Sequence, residues 1–262
     1  MSGTASTPAR ESEPARRRPI RIAAVGDLHF DGVSDRGTLR ELFTTIKRSA
    51  DIMVLCGDLT THGRPEQMVA LVEEIGGLDI PVVSVLGNHD YEGEVEQELM
   101  QILRDARIHV LDGESVVVDG VGFAGTKGFA GGFGRRALAP FGERLIKDFV
   151  QHALDEALKL ENALRTLETE LKVVLLHYAP IVETTEGEPE EIRPFLGSSR
   201  LLEPLETHGA TVVFHGHAHM GKPEARTPTG IPVYNVARHV LRSRGEEFRL
   251  WVGEAPERRA EP

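Results

Sequence analysis

Asp27, His29, Asp58, Asn88, His177, His217 and His219 are carboxylates, an amide and imidazoles, each standing just past the end of a short apolar run. Side chains that offer oxygen and nitrogen without thiolate suit Mn²⁺, iron or Zn²⁺ rather than an iron–sulfur cluster or a closed structural zinc site. Seven ligands exceed what one ion takes. Two ions sharing a carboxylate use the whole set, and such a pair clamps both the attacking and the leaving oxygen of a phosphate ester. Two carboxylates set against two divalent ions leave the site locally positive, so an anionic phosphate is drawn in although the chain carries a formal net charge of −11.

The elements that must position these residues follow from the hydrophobic pattern. Ile20 to Val25, Ile52 to Cys56 and Val82 to Leu86 read as strands, alternating with helical patterns at Leu39 to Lys47, Glu66 to Ile75 and Val95 to Ala106. Asp27, Asp58 and Asn88 each follow one of these strands at intervals of about 30 residues, the length of a βαβ unit. All three therefore converge on one sheet edge, beyond the carboxyl ends of the strands, where open α/β sheets bind ligands. The second half opens with Ser115 to Val118 and Val121 to Ala124 around Asp119-Gly120, a type I′ hairpin signal that makes the sheet mixed. A long helical pattern runs from about Glu143 to Leu171, with Leu154, Leu158, Leu164, Leu167 and Leu171 on or near one packing face. Val173 to Leu176, Thr211 to Phe214, Ile231 to Val236 and Glu247 to Val252 are further strands, and the first two lead into His177 and Gly216-His217. Gly57, Gly87 and Gly216 stand where strands stop and the backbone must turn.

Taken in chain order, D-x-H at 27–29, G-D at 57–58, G-N-H-D at 87–90, His177 and G-H-x-H at 216–219 resemble the calcineurin-like metallophosphoesterase superfamily, from about Ile22 to His219. Each block alone is common, whereas all five in order at strand ends are specific. The resemblance implies an α/β fold, a four-layer α/β/β/α sandwich of mixed sheets with the dimetal site at the carboxyl ends of the strands. It implies that Asp27, His29 and His219 hold one metal, that Asn88, His177 and His217 hold the other, and that Asp58 bridges them. It further implies a metal-bridging hydroxide as nucleophile and His89 as general acid, with Asp90 beside it stabilising the imidazolium. The blocks around Asp58 and Asn88 look most like the class III cyclic nucleotide phosphodiesterase branch, whose members hydrolyse phosphodiesters and some monoesters. No Tyr stands close after Asp58, as purple acid phosphatases have, and no G-D-x-V-D-R-G block marks a Ser/Thr protein phosphatase.

Several residues are candidates for substrate contact rather than ligation. His62 lies close after Asp58, and Arg193, Ser198, Ser199 and Arg200 belong to a Glu-rich segment, Val182 to Arg200, that follows His177. The alternative is a solvated acidic loop. Gly125 to Gly134 reads as a flexible loop without a phosphate-binding fingerprint, and its glycines, with Phe129, Phe133, Arg135 and Arg136 nearby, offer a mobile wall over the substrate. His239 and Asn235 follow the strand after His219, but nothing in the local spacing turns them to the site. His109, His152 and His208 receive no role.

Bulk properties narrow the setting. A chain of 262 residues, 40% hydrophobic, supports one catalytic domain, expected over residues 19–253 between a disordered leader at 1–18 and a charged tail at 254–262. Arg16, Arg17 and Arg18 precede no apolar signal region. Net negative charge and the lack of a basic stripe disfavour nucleic acid, and with it the nuclease alternative. One cysteine, Cys56, reads as a buried hydrophobe, and no run reaches the length of a membrane span. The expected setting is cytoplasmic and the expected partner a small-molecule phosphoester. Oligomeric state is open. A non-catalytic metal-bound scaffold is the alternative function, disfavoured by the intact ligands and His89.

Overall fold

The computed structural model describes residues 17–77 and 79–256. β1 (Arg17–Val25), β2 (Ile52–Cys56) and β3 (Val82–Val85) pair in parallel in that order, joined by α1 (Arg36–Ser49) and α2 (Pro65–Ile75). α3 (Glu96–Asp105) leads to the two-residue β4 (His109–Val110), parallel to β3. On the far side of β1 lies β11 (Arg249–Pro256), antiparallel, so the first sheet is mixed with the order β11-β1-β2-β3-β4. Every residue of β2 is buried, as an apolar run covered on both faces requires. α1 turns Leu39, Leu42, Phe43 and Ile46 inward, the helical spacing of one face.

The β1–β11 pairing shifts both expected domain ends. Arg17 pairs with Pro256 in register, so β1 begins two residues inside the expected leader and β11 runs into the expected tail. Once one strand offers backbone donors and acceptors, the partner extends until those groups are matched. The rest of both expectations, residues 1–16 and 257–262, lies outside the described residues.

The second sheet runs β5 (Glu114–Val118), β6 (Val121–Thr126), β7 (Lys172–Leu176), β8 (Val212–His215), β10 (Pro232–Asn235) and β9 (Glu224–Arg226) in space. β6, β7, β8 and β10 are parallel, whereas the two edge strands are antiparallel. The Asp119-Gly120 hairpin has the expected two-residue turn, with φ of 54° and 82°. α4 (Arg144–Arg165) is shorter than the leucine pattern suggests, because the chain turns at Thr166, whose hydroxyl bonds the Ala163 carbonyl at 2.8 Å. Its inward face is Val150, Ala153, Glu156, Leu160, Ala163 and Leu164. Leu158, expected on that face, is 53% exposed, while Leu167 and Leu171 are buried from the loop that enters β7.

β2 packs on β7, and β3 on β6 and β7. The two sheets therefore lie face to face, with α1 to α3 over the first and α4 over the second alongside α6 (Leu202–His208). This is the four-layer sandwich. α5 (Arg193–Leu196), α6 and α7 (Arg238–Ser243) are too short to announce themselves by periodicity. Among the described residues no helix is long and apolar enough to cross a membrane.

Candidate metal centre

Three overlapping groups of side chains converge at the carboxyl ends of the parallel strands: Asp27, His29 and His219; His29, Asp58 and His89; and Asp58, His177 and His217. Within each group, one ligand atom per residue lies within 4.8 Å of the others. In the first, His219 Nε2 is 2.8 Å from Asp27 Oδ1 and 3.4 Å from His29 Nε2. On the other side, His177 Nε2 is 2.9 Å from Asn88 Oδ1 and 3.3 Å from Asp58 Oδ1. Asp58 Oδ2 is 3.8 Å from His29 Nε2 and 4.0 Å from His89 Nε2. The two oxygens of one buried carboxylate thus look into two ligand clusters.

Outer hydrogen bonds set the tautomers. A carbonyl only accepts, so His177 Nδ1 carries a proton toward Cys56 O at 3.0 Å and leaves Nε2 for a metal. His217 is the reverse, donating from Nε2 to Phe195 O at 3.2 Å and leaving Nδ1. His89 donates from Nδ1 to Thr61 O at 2.8 Å, which turns Nε2 toward the site.

Charge balances differ within the set. Burial lowers the pKa of His29, and burial together with the His177 charge pulls His217 down to about 3. Both are therefore neutral, ligand-competent imidazoles. At His177 burial acts the same way, but the charge and hydrogen bond of Asp58 outweigh it and push the group up to about 9. Burial would raise Asp27 and Asp58, yet the His219 hydrogen bond at the first and the His177 charge at the second hold both below the usual carboxylate range. Without metal, the Asp27 and Asp58 carboxylates are each faced by an imidazole, His219 and His177, whose protons bound metal would displace. Donor types, free ligand nitrogens and a two-faced carboxylate all fit a pair of metal ions.

Backbone strain presents these side chains. Asp27, His29, Asp58 and His217 have φ of 56°, 47°, 49° and 68°, the left-handed region that costs an L-residue roughly 1–2 kcal/mol. Such outliers persist where surrounding structure over-determines them. The glycines divide into two kinds. Gly57 needs its left-handed φ of 78°, and a Cβ there would sit 2.6 Å from His177 Nδ1. Gly87 and Gly216 are needed for close approach instead, since a Cβ would strike Asp58 and Asp27 respectively.

A model of the calcineurin-like phosphoesterases matches residues 20–221. The chain belongs to that family. A curated relative, purple acid phosphatase 4 of Arabidopsis thaliana, is 31% identical over 153 residues, 54% of this chain and 42% of that one. The match thus spans less than half of the phosphatase. Among solved structures, the phosphopantetheinyl hydrolase of Mycobacterium tuberculosis superposes with a TM-score of 0.63 at 13% identity, covering 88% of this chain and 95% of its own. A Thermus thermophilus protein follows with a TM-score of 0.54 at 17% identity, covering 90% and 99%. At these identities the structures share the fold with this chain.

Family membership and the His/Asp groups together indicate a dinuclear metal centre. Within it, one expected role is corrected. Asp90 does not touch the His89 imidazole. The 3-10 turn His89–Tyr91 sends successive side chains in different directions, and Asp90 points into the protein. There, fully buried, it accepts from Leu59 N at 3.1 Å, Thr60 N at 2.9 Å, Thr60 Oγ1 at 2.7 Å and Gly87 N at 2.9 Å. Burial and the nearby Asp58 charge raise its carboxyl to about 6 in spite of those bonds. It braces the loops that carry Asp58 and Asn88. Two other carboxylates lie near the His89 ring: Asp58, with Oδ2 4.0 Å from Nε2, and Glu92, whose Oε2 is 3.9 Å from Nδ1 and 3.3 Å from His62 Nδ1.

The expected substrate contacts separate. His62 stays near the site through Glu92. Ser198 is buried and its hydroxyl accepts from Arg200 N at 3.3 Å, while Ser199 Oγ accepts from Gly134 N at 3.1 Å. Both hydroxyls hold loops together. Arg193 pairs with Glu190 at 3.8 Å, and Arg200 lines a cleft with Leu154, Leu158 and Glu203, none of them a ligand. From this segment Phe195 meets a candidate ligand, His217, through its carbonyl, and no side-chain pattern could have marked it. The glycine-rich stretch is also corrected: Gly125 and Thr126 belong to β6, and Lys127, Gly128 and Ala130 to Gly132 are buried. Hydrogen bonds from Gly131 N to Pro194 O and Gly132 N to Gly197 O, each 2.9 Å, pin it to the segment after His177. Finally, His239 stacks on His219 with ring centroids 4.4 Å apart at 12°, a contact that only the return of α7 to the site creates.

Proposed function

We propose that the chain hydrolyses phosphate esters of small molecules, phosphodiesters and monoesters, at a site held by Asp27, His29, Asp58, Asn88, His177, His217 and His219. The observation that carries this reading is Asp58, one carboxylate whose two oxygens face separate ligand clusters. Asp27, His29 and His219 would hold one ion and Asn88, His177 and His217 the other, with manganese, iron or zinc suited to the donors. Such ions supply Lewis acidity toward the phosphoryl oxygens and lower the pKa of water.

His89 would pass a proton to the leaving alkoxide. Its Nε2 faces the site, its side chain is 40% exposed and therefore reachable by substrate, and the Thr61 carbonyl fixes ring orientation and tautomer. Substrate orientation falls to His62 and Glu92 on one side and the Phe195 segment on the other.

Turnover of bis(p-nitrophenyl) phosphate and p-nitrophenyl phosphate with Mn²⁺, before and after chelation, tests the reaction. His89→Asn should retain two metals per chain and lose about 10²- to 10⁴-fold in kcat, most for esters with weakly acidic leaving groups. Protein with both sites filled and no turnover on either ester would instead support the scaffold alternative.

A further inference from the structure

Asp27 follows a strand of the first sheet and His219 a strand of the second, so a first metal site needs the two sheets held in register to a few tenths of an ångström. The turn after β10 touches both strand ends. Gly26 N, just before Asp27, donates to Val236 O at 2.9 Å, and Arg238 N returns to Gly26 O at 3.1 Å. On the other side Val236 N donates to His215 O at 2.7 Å. Asn235, 1% exposed, donates from Nδ2 to Ala218 O at 2.7 Å, between His217 and His219, and accepts Ala237 N at 3.1 Å. His239 then lays its ring parallel to that of His219 and edge-on to His29, with centroids 6.3 Å apart in the second case.

We propose that residues 235–239 are a brace that sets the first metal site, with Asn235 and His239 as positioning residues. Asn235 holds the His217–His219 loop against the end of β1. His239 selects the plane of the His219 ring, a torsion that is broad unless packing restricts it. A ring turned out of that plane takes Nε2 off the metal position, so loss of the stack weakens one metal site and spares the other. Outer supports of this kind change metal affinity about 10- to 100-fold.

The inference rests on Asp27, His29 and His219 being ligands, and the experiment separates the two claims. Mn²⁺ binding is measured by calorimetric titration and metal counting for wild type, His219→Ala, His239→Ala, His239→Phe and Asn235→Leu, with metal-free thermal melts as the folding control. Wild type should bind two Mn²⁺ and His219→Ala one tightly. His239→Ala should bind the second ion unchanged and the first about 10- to 100-fold more weakly, with most of the loss recovered in His239→Phe, which keeps a stacking face. His239→Ala binding both ions as wild type does, while His219→Ala loses one, overturns the brace alone. Retention of both ions by His219→Ala overturns the ligand assignment as well.

Discussion

Asp90→Asn tests whether the buried carboxylate beside His89 acts on the imidazole or on the backbone. In the structure Oδ1 accepts from Thr60 N and Thr60 Oγ1, and Oδ2 from Leu59 N and Gly87 N. An amide keeps one acceptor oxygen and turns an NH₂ group toward the other pair. Its best orientation points the NH₂ at Thr60, whose hydroxyl can rotate to accept, and still leaves the Thr60 backbone N–H unpaired in a dry site. One orphaned buried donor costs about 1–3 kcal/mol, and because burial and the Asp58 charge disfavour the ionised carboxyl its removal adds nothing further, so roughly 1–3 kcal/mol is expected. Asp90→Ala orphans three backbone donors and should cost on the order of 3–9 kcal/mol, comparable to the whole stability of a typical domain. Urea unfolding at neutral pH, metal-free and with Mn²⁺, measures both. The braced loops hold Asp58 and Asn88, so metal affinity should fall with stability. If Asp90→Asn unfolds within about 0.5 kcal/mol of wild type while losing turnover in the leaving-group pattern of His89→Asn, Asp90 acts through the imidazole and the brace reasoning is wrong.

Three further outcomes are expected. Gly57→Ala should displace His177, because the left-handed φ alone costs about 1–2 kcal/mol and the new Cβ would sit 2.6 Å from Nδ1; thermal melts and metal counting check it. Chelation should lower the melting temperature and Mn²⁺ should restore it, since metal at 100 times its Kd stabilises by about 2.7 kcal/mol; an unchanged melt would mean the site is not coupled to folding. Glu156, buried on α4, accepts from Thr126 Oγ1 and Gly128 N and from Lys159. Burial raises its pKa, but Lys127, Lys159 and Thr126 outweigh it and hold the folded value below the ordinary one. The carboxylate therefore stabilises above the unfolded value of about 4.3 and loses that contribution as pH falls through the lower folded value. Glu156→Gln should be less stable than wild type at neutral pH, with the gap in urea midpoint closing only under acid.

Much of this protein was legible in its residues. The seven candidate ligands could be picked out because each follows an apolar run, and βαβ spacing brings Asp27, Asp58 and Asn88 to one edge whatever the loops do. The Asp119-Gly120 turn and the mixed sheet followed from φ preferences that two residues carry by themselves. These are local or periodic properties, which a chain displays before it folds. What the tertiary structure decided is directional. Whether Asp90 turns to His89 or to three backbone amides depends on a 3-10 turn and on donors about thirty residues earlier in the chain. Which nitrogen of His177 and His217 is free depends on carbonyls of Cys56 and Phe195, brought there by sheet packing. β1 reaches Arg17 because β11 returns beside it, and His239 meets His219 because the turn after β10 is wedged between two sheets. Hydrogen bonding at buried groups is settled by whichever partner the fold delivers, and in this chain the partners of the candidate ligands come from other strands and loops.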